Sequence, residues 1–442
     1  MRQTRSADPG DGIVGRGRRA LPRARARTAG LALLWLLPLL MAARPAADGD
    51  AAGASGFGAL HDAPQRSLVL PSPDEAPRDH WVWLGDLLLR RSALIDADSG
   101  RYRGTLPGSV GAIVPLPSPD GREIHLASTF YSRAVRGERS DVLTTFDARS
   151  LRVIGEIALP PRRADYVGWA QTSALSDDGR FAAVFNLIPA TSLSIVDLAE
   201  RRFAGEIATP GCHLAYPAGA RRFAMLCGDG TLQLITLDAQ GGEARRTRSP
   251  VFFDAQGDPV TEKAVRIGDR WLFVSFEGWL HEVDLSGEAP AFPEPWSLLD
   301  DADRAAGWRI GGVQHLAAHE GRGELYSLVH HGGPDTHKQA GEEVWVYDLA
   351  THARVRRIAV PNLAAAFVAH TLGREGGAVE WLLDRLVPSV GADHVYVSQD
   401  DDPILVLATR EVPVAAVLGA ADGRVRNVLH DVGFAVNRVS AP

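Results

Sequence analysis

The residues of this chain that could bind a metal or react are few and scattered. Its 442 residues include 14 histidines, and the densest group is His330, His331 and His337. Imidazole nitrogens are common metal ligands, so these three would form a metal site if they converged on one point. Glycine, proline and aspartate lie between them, and such residues favour loops. We therefore interpret this segment as a solvated loop and predict no metal site.

The acidic run Asp400–Asp402 is the second candidate, because carboxylate oxygens are the ligands that calcium prefers. Pro403 follows directly. Aspartate before proline is typical of a turn, so a hairpin turn is our preferred interpretation.

Motifs of nucleophilic, metal-dependent or nucleotide-binding enzymes are missing from the sequence. It contains no GxSxG, HExxH or P-loop pattern. We therefore predict no catalytic, cofactor-binding or metal-binding residues in this chain.

The charge of the chain is concentrated at its N-terminus. Residues 1–47 contain nine arginines and two acidic residues, and they include an uncharged leucine-rich stretch from Thr28 to Ala43. A basic segment before a short apolar one is typical of a secretory signal, with cleavage expected between Ala43 and Ala47. An uncleaved membrane anchor is the alternative. Without residues 1–47 the net charge changes from -7 to -14, which disfavours nucleic-acid binding.

Cys212 and Cys227 are the two cysteines of the chain. In the periplasm, where a cleaved signal would deliver the protein, oxidising conditions favour a disulfide between them. Two buried free thiols are the alternative.

The remaining sequence contains a repeat that predicts the fold. A hydrophobic strand ends in aspartate and is followed by a turn and a second strand that ends in proline. The marker aspartates are Asp96, Asp147, Asp197, Asp238, Asp284 and Asp348. Repeats near 40–50 residues with short strands are typical of propeller blades. With a seventh unit from His394 to Leu418, the sequence predicts an all-β, seven-bladed β-propeller with four-stranded blades over residues 81–442.

The marker aspartates have a structural explanation in this fold. Aspartate side chains accept hydrogen bonds from backbone N–H groups in turns, so we expect each one to cap the hairpin that follows it.

Two segments interrupt the repeat. Residues 48–80 are rich in alanine, glycine and proline, so we expect an N-terminal arm. Residues 364–391 separate the sixth and seventh units, and the helical spacing of residues 379–387 predicts a helical insertion before the last blade.

Several segments resemble the large (heavy) subunit of the quinoprotein amine dehydrogenases, the methylamine and aromatic amine dehydrogenase family. The clearest segment is ASTFYSRAVRGERSDVLTTFD at Ala127–Asp147. Further similar segments are Gly211–Leu232, Asp303–His319, Asp335–Leu349 and Val397–Thr409, and together the resemblance spans roughly residues 110–435.

This resemblance implies a periplasmic α2β2 enzyme. The family's small, cysteine-rich subunit carries tryptophan tryptophylquinone, so a chain with two cysteines is the large subunit and holds no cofactor itself. The enzyme oxidises a primary amine to an aldehyde and ammonia, and a cupredoxin (amicyanin- or azurin-like) accepts the electrons. The large subunit would scaffold the small subunit and line part of the substrate channel.

The resemblance also assigns individual residues. The aromatic position that lines the family's substrate channel corresponds to Tyr131, beside Phe130, where ordinary blade packing is the alternative. Methylamine enzymes of the family have phenylalanine there, so the hydroxyl of Tyr131 would change the polarity of the channel. The family disulfide corresponds to Cys212 and Cys227. An exported propeller that binds or scaffolds other molecules without catalytic activity is the alternative function.

Overall fold

The computed structural model describes residues 69–71, 78–111 and 113–442. The chain divides into two units at residue 64, and all described residues belong to the second. The predicted signal at 1–47 and most of the predicted arm at 48–80 lie outside the described residues. Within the arm, Leu70 is buried and its backbone N–H donates to the carbonyl of Arg149 (2.7 Å).

Short antiparallel strands form seven sheets in the described part of the chain, which confirms the predicted seven-bladed propeller. The strands of the first three sheets are β1 (Trp81–Asp86), β2 (Arg91–Asp96), β3 (Tyr102–Pro107), β4 (Leu116–Pro117), β5 (Glu123–Arg133), β6 (Arg136–Asp147), β7 (Val153–Leu159), β8 (Ser173–Leu175), β9 (Phe181–Asn186), β10 (Ser192–Asp197) and β11 (Arg202–Ala208). A single 3-10 turn at Ala170–Thr172 precedes β8.

The next two sheets and the short helix after them follow in chain order. They are β12 (Cys212–Pro217), β13 (Arg222–Cys227), β14 (Leu232–Leu237), β15 (Glu243–Arg248), β16 (Val265–Ile267), β17 (Arg270–Val274), β18 (Trp279–Asp284), β19 (Trp296–Ser297) and the short helix α1 (Asp301–Ala305).

The sixth and seventh blades complete the chain. Their elements are β20 (Trp308–Ile310), β21 (Leu316–His319), β22 (Glu324–His331), β23 (Glu343–Asp348), β24 (Ala353–Ala359), α2 (Leu363–Thr371), α3 (Gly377–Leu386), β25 (His394–Val397), β26 (Ile404–Ala408), β27 (Val414–Gly419), β28 (Val425–His430) and β29 (Val436–Ser440). No described helix is long and apolar enough to cross a membrane.

Burial explains why the middle strands have continuous apolar sequences. The six residues of β1, and likewise those of β9, are all buried, because both faces of a middle strand pack against neighbouring blades. The outer strand β24 instead alternates between exposed and more buried residues, since one of its faces meets solvent. Phe181, Phe223 and Phe273 occupy β9, β13 and β17 and belong to one apolar cluster that joins three blades.

The C-terminal strand closes the ring. β29 pairs with β1, so the last strand of the chain is the innermost strand of the first blade. Blade six differs from the predicted four strands, because β20 and β21 pair with different halves of the long strand β22.

The marker aspartates cap turns as expected. Each accepts a backbone hydrogen bond from a residue two or three positions later, as in the 2.7 Å bond from Ser150 N–H to Asp147. These turns connect the third and fourth strands of the blades, so they all lie on one face of the ring. We name the opposite face, from which the loops between second and third strands and between successive blades emerge, the upper face.

The predicted insertion consists of α2 and α3 on the upper face. Helix α2 buries Leu363, Ala364, Ala365 and Ala369, whereas α3 has no buried residue. Asn362 joins the two helices: its side-chain oxygen accepts from Ala365 N–H (3.1 Å) and its amide donates to the carbonyl of Val387 (2.7 Å).

Candidate functional site

Phe130 and Tyr131 lie on a hairpin that extends beyond its blade. The pairing of β5 with β6 continues through Tyr131↔Arg139. The outer strand β7, in contrast, pairs with β6 only as far as Asp141. Residues 130–139 therefore form a two-stranded ribbon that projects from the upper face.

A network of hydrogen bonds and ion pairs fixes this ribbon to the loop between β7 and β8. The hydroxyl of Tyr131 donates to Oδ2 of Asp165 (2.9 Å), and Arg139 Nη1 lies 3.7 Å from the same oxygen. Arg139 also binds Asp141 through two hydrogen bonds of 2.9 and 2.8 Å and donates to the carbonyl of Arg163 (2.6 Å). Partial burial and the hydrogen bond to Asp165 raise the pKa of Tyr131, so the phenol stays protonated.

Beneath the ribbon, Arg163 is almost fully buried. Its guanidinium donates to the carbonyl of Val110 (3.2 Å) and to Thr129 Oγ1 (3.0 Å), while its backbone N–H donates to Asp141 (2.8 Å). Burial lowers the pKa of Arg163 to about 10, although Asp141 and Asp165 oppose this shift. The arginine therefore remains charged at neutral pH and holds three segments together.

Gly111 allows the loop between β3 and β4 to approach Asp165 closely. Its φ of +93° lies in the region that favours glycine. A Cβ at this position would lie 1.6 Å from the backbone oxygen of Asp165. Any other residue would therefore displace the partner of Tyr131.

Exposed apolar side chains surround the ribbon on loops of the first three blades. We name them the apolar loop cluster; its members are Leu87, Leu88, Leu89, Phe130, Val135, Tyr166, Leu187, Ile188 and Phe434.

The loops that carry the cluster contact one another. Leu87 N–H donates to the carbonyl of Ala435 (3.1 Å), and Leu187 N–H donates to the carbonyl of Arg162 (3.0 Å). A Cβ added at Gly168 would lie 4.0 Å from Leu87 Cδ1. These contacts place the loops side by side on the upper face, and groups of exposed apolar side chains mark interaction sites.

The expected disulfide joins Cys212 and Cys227, which are buried cross-strand partners on β12 and β13. It lies at the upper end of the fourth blade, away from Tyr131. It fixes the register of two strands and takes no part in the ribbon network.

The solvated loop predicted for the three histidines contains only His337, because His330 and His331 are the last residues of β22 and His330 is buried. The three side chains have separate partners. His330 Nε2 lies 2.9 Å from Thr336 Oγ1, His331 Nδ1 lies 2.9 Å from a carboxylate oxygen of Glu342, and His337 stacks on Phe276. Their ligand atoms do not form a group close enough to share one ion.

Asp400 lies in the turn between β25 and β26. Its carboxylate accepts the backbone N–H of Asp402 (3.1 Å), and His80 Nε2 lies 3.2 Å away. The hairpin turn predicted for Asp400–Asp402 is thus present.

Sequence reasoning missed the one group of possible metal ligands within the described residues: His370, Glu375 and His430. The imidazole rings of His370 and His430 stack with their planes only 10° apart. Parallel rings direct their in-plane lone pairs along parallel lines, so the two nitrogens do not point to one ion. The group instead pairs Glu375 with His370 and joins α2 to the last strand of blade seven.

The methylamine dehydrogenase heavy chain (MADH) family model matches residues 89–366, which is more than half of the chain. The chain is 28% identical over 362 residues to a methylamine dehydrogenase heavy chain of Paracoccus versutus, covering 80% of this chain and 77% of that protein. It is 26% identical over 395 residues to the heavy chain of Methylobacillus flagellatus, covering 88% and 92%.

Among solved structures, a protein of unknown function from Desulfotomaculum acetoxidans has a TM-score of 0.53 at 10% identity, over 82% of this chain and 99% of that one. That likeness concerns the fold alone. The family match includes the ribbon, Tyr131 and both cysteines, and it ends where the helical insertion begins. The chain belongs to the methylamine dehydrogenase heavy-chain family.

Proposed function

We propose that this chain is the large subunit of a periplasmic amine dehydrogenase and that the apolar loop cluster docks the small subunit. The observation that carries this proposal is the group of exposed apolar side chains on the loops near Tyr131, on a propeller of this family. A hydrophobic centre with a polar rim is the usual anatomy of a stable interface. Ile188 and Leu88 are more than half exposed and would be buried by such a partner.

The residues of this chain are suited to support rather than to carry the cofactor. Both cysteines form the disulfide, and Trp83 and Trp345 are buried within the blades. The family resemblance assigns the quinone to the small subunit, where tryptophan tryptophylquinone would take two electrons from the amine. A cupredoxin would then accept these electrons. The disulfide and the basic, apolar N-terminus both support export.

Tyr131 would line the channel by which the primary amine reaches the quinone. The ribbon network holds its ring in one position, and Arg139 lies 6.0 Å from the ring centroid. A positioned aromatic side chain limits the width of a channel without reacting. Its hydroxyl already donates a hydrogen bond to Asp165. We therefore expect the ring, rather than a free hydroxyl group, to face the amine.

Co-expression with a small, cysteine-rich subunit of a methylamine dehydrogenase tests the proposal. We expect Leu88→Asp and Ile188→Asp to weaken assembly at least tenfold, because each would place a charge in the buried centre of the interface. Val355→Asp is the matched control, since Val355 is similarly exposed but lies on the outer strand β24. Equal assembly of all three variants with the small subunit would contradict the proposed docking surface.

A further inference from the structure

The axis of the propeller contains a cavity of about 300 Å³. It is lined mainly by the inner strands of blades five, six, seven and one, together with the segment before β8. Three basic residues line it, Lys263, Arg266 and Arg438, and none of the lining residues is an aspartate or a glutamate. The chain as a whole carries a net charge of -7, so this cavity is opposite in sign to the rest of the molecule.

Two of these three basic residues, Arg266 and Lys263, already have partners. Arg266 forms a two-fold ion pair with Asp177 (2.5 and 2.8 Å). Lys263 Nζ donates to the carbonyl of Gly312 (3.2 Å), which leaves two of its N–H groups unused. The side-chain N–H groups of Gln314, on the same wall, donate to the carbonyls of Val395 and Val439.

Arg438 on β29 differs, because its guanidinium has no hydrogen bond or ion pair with any described residue. Its Nε is buried without an acceptor, and burial alone lowers its pKa to about 10. No charged neighbour contributes to this shift. The adjacent Asn437 lines the same cavity, and neither atom of its buried amide has a partner. Arg438 as a whole is only partly buried, so its guanidinium borders the cavity without a counter-charge, and a bound anion would supply one.

We propose that the axial cavity binds a small oxyanion, with Arg438 as its principal ligand. The planar guanidinium fork matches two oxygens of a phosphate, sulfate or carboxylate group. Unused donors of Lys263 and Asn437 provide further contacts on the wall of the same cavity. A positively charged cavity also concentrates anions. This site does not involve the small subunit, so a failure of this proposal would leave the proposed function untouched.

Thermal unfolding of the full chain in inorganic phosphate, against chloride at the same ionic strength, tests the proposal. Binding to the folded state alone stabilises it in proportion to the logarithm of ligand concentration above the Kd. We expect the Tm to rise with phosphate in this way, and Arg438→Gln to remove the rise. Calorimetric titration should give a Kd at least tenfold weaker for that variant.

Arg424→Gln is the matched control, because that arginine side chain is 87% exposed and should leave the phosphate response unchanged. Without phosphate, Arg438→Gln should melt no lower than the natural chain, since it removes an uncompensated charge. If Arg438→Gln does not fold, Arg438→Lys, which keeps the charge but loses the fork, should bind more weakly. A natural chain whose Tm is the same in phosphate, sulfate, acetate and chloride would overturn the proposal, as would full phosphate binding by Arg438→Gln.

Discussion

The hydroxyl of Tyr131 donates a hydrogen bond of 2.9 Å to Oδ2 of Asp165, across 34 positions of sequence. This bond joins the ribbon of blade two to the loop that leads into blade three. Arg139 approaches the same carboxylate, so the position of the aromatic ring depends on two blades at once. The aromatic ring that we propose to line the substrate channel is in this way fixed to the framework of the propeller.

Tyr131→Phe tests the role of that bond. We expect the free energy of unfolding to fall by roughly 1 kcal/mol or less, because Asp165 keeps Arg139 as a partner. In the assembled enzyme, the less polar and less restrained ring should change the ratio of kcat/KM between a short alkylamine and an arylalkylamine by several-fold. Tyr102→Phe is the control, because Tyr102 is 53% exposed and lies on the outer strand β3, outside the apolar loop cluster. An unchanged ratio for Tyr131→Phe would place Tyr131 outside the channel.

Gly111→Ala tests the contact that positions Asp165. The new methyl group would overlap the backbone oxygen of Asp165, so the loop must move. We expect a loss of about 1–3 kcal/mol in unfolding free energy, together with the same change in amine preference as Tyr131→Phe. Gly333→Ala should leave both unchanged, since no atom lies within 4 Å of a Cβ at that position. A Gly111→Ala protein of normal stability and preference would contradict the assigned contact.

Replacing both Cys212 and Cys227 with serine tests the disulfide. The two residues are 15 positions apart, and closing a loop of that length stabilises a folded protein by roughly 3 kcal/mol. We expect the double variant to lose about that much in denaturant titrations. Reductant should lower the stability of the natural chain to a similar value and should not affect the variant. A natural chain that is equally stable with and without reductant would argue against this contribution.

Buried histidines make stability depend on pH. Burial lowers the pKa of His125 to about 4, and it also lowers the pKa values of His315 and His394. Between pH 4 and 6.5 the unfolded chain therefore binds more protons than the folded chain, so stability falls as the pH falls through this window. Each such histidine contributes a slope of about 1.4 kcal/mol per pH unit.

Substitution of His125 checks this slope. His125→Gln should reduce the dependence of unfolding free energy on pH by about one proton. His80 acts outside the window: burial lowers its pKa, but Asp98 and Asp400 outweigh this and raise it, so its contribution is lost only as the pH rises above 6.5. A pH-independent stability between 4 and 6.5 would contradict the neutral buried state of these histidines.

The parts of the fold that local sequence specifies were predictable. An aspartate such as Asp147 accepts hydrogen bonds from the backbone of residues two and three positions later. Because these contacts are local, each capped hairpin can be recognised in the sequence by its marker aspartate. The helical insertion was likewise predictable, because its apolar residues recur at helical spacing. Seven hairpins at nearly regular spacing then require a ring, because a single blade cannot bury both of its faces.

Contacts between distant residues were not predictable. Ring closure pairs Gly85 with Arg438, and nothing in the sequence of β29 resembles the marked repeats. The bond from Tyr131 to Asp165 likewise depends on where two loops meet in space. The proposed role of Arg438 was not predictable either. Only the folded structure shows that no described residue pairs with its guanidinium, and the residue type alone does not. The export signal and the channel role of Phe130 and Tyr131 stay predictions.

The visible spectrum of the exported complex tests the central claim most directly. The chain would be purified from the periplasm with whatever small subunit accompanies it, and a primary amine would be added. The large-subunit assignment predicts a complex with a quinone absorption band that bleaches on addition of the amine. A colourless monomer whose spectrum does not respond to amines would contradict the assignment and favour a propeller without a catalytic partner.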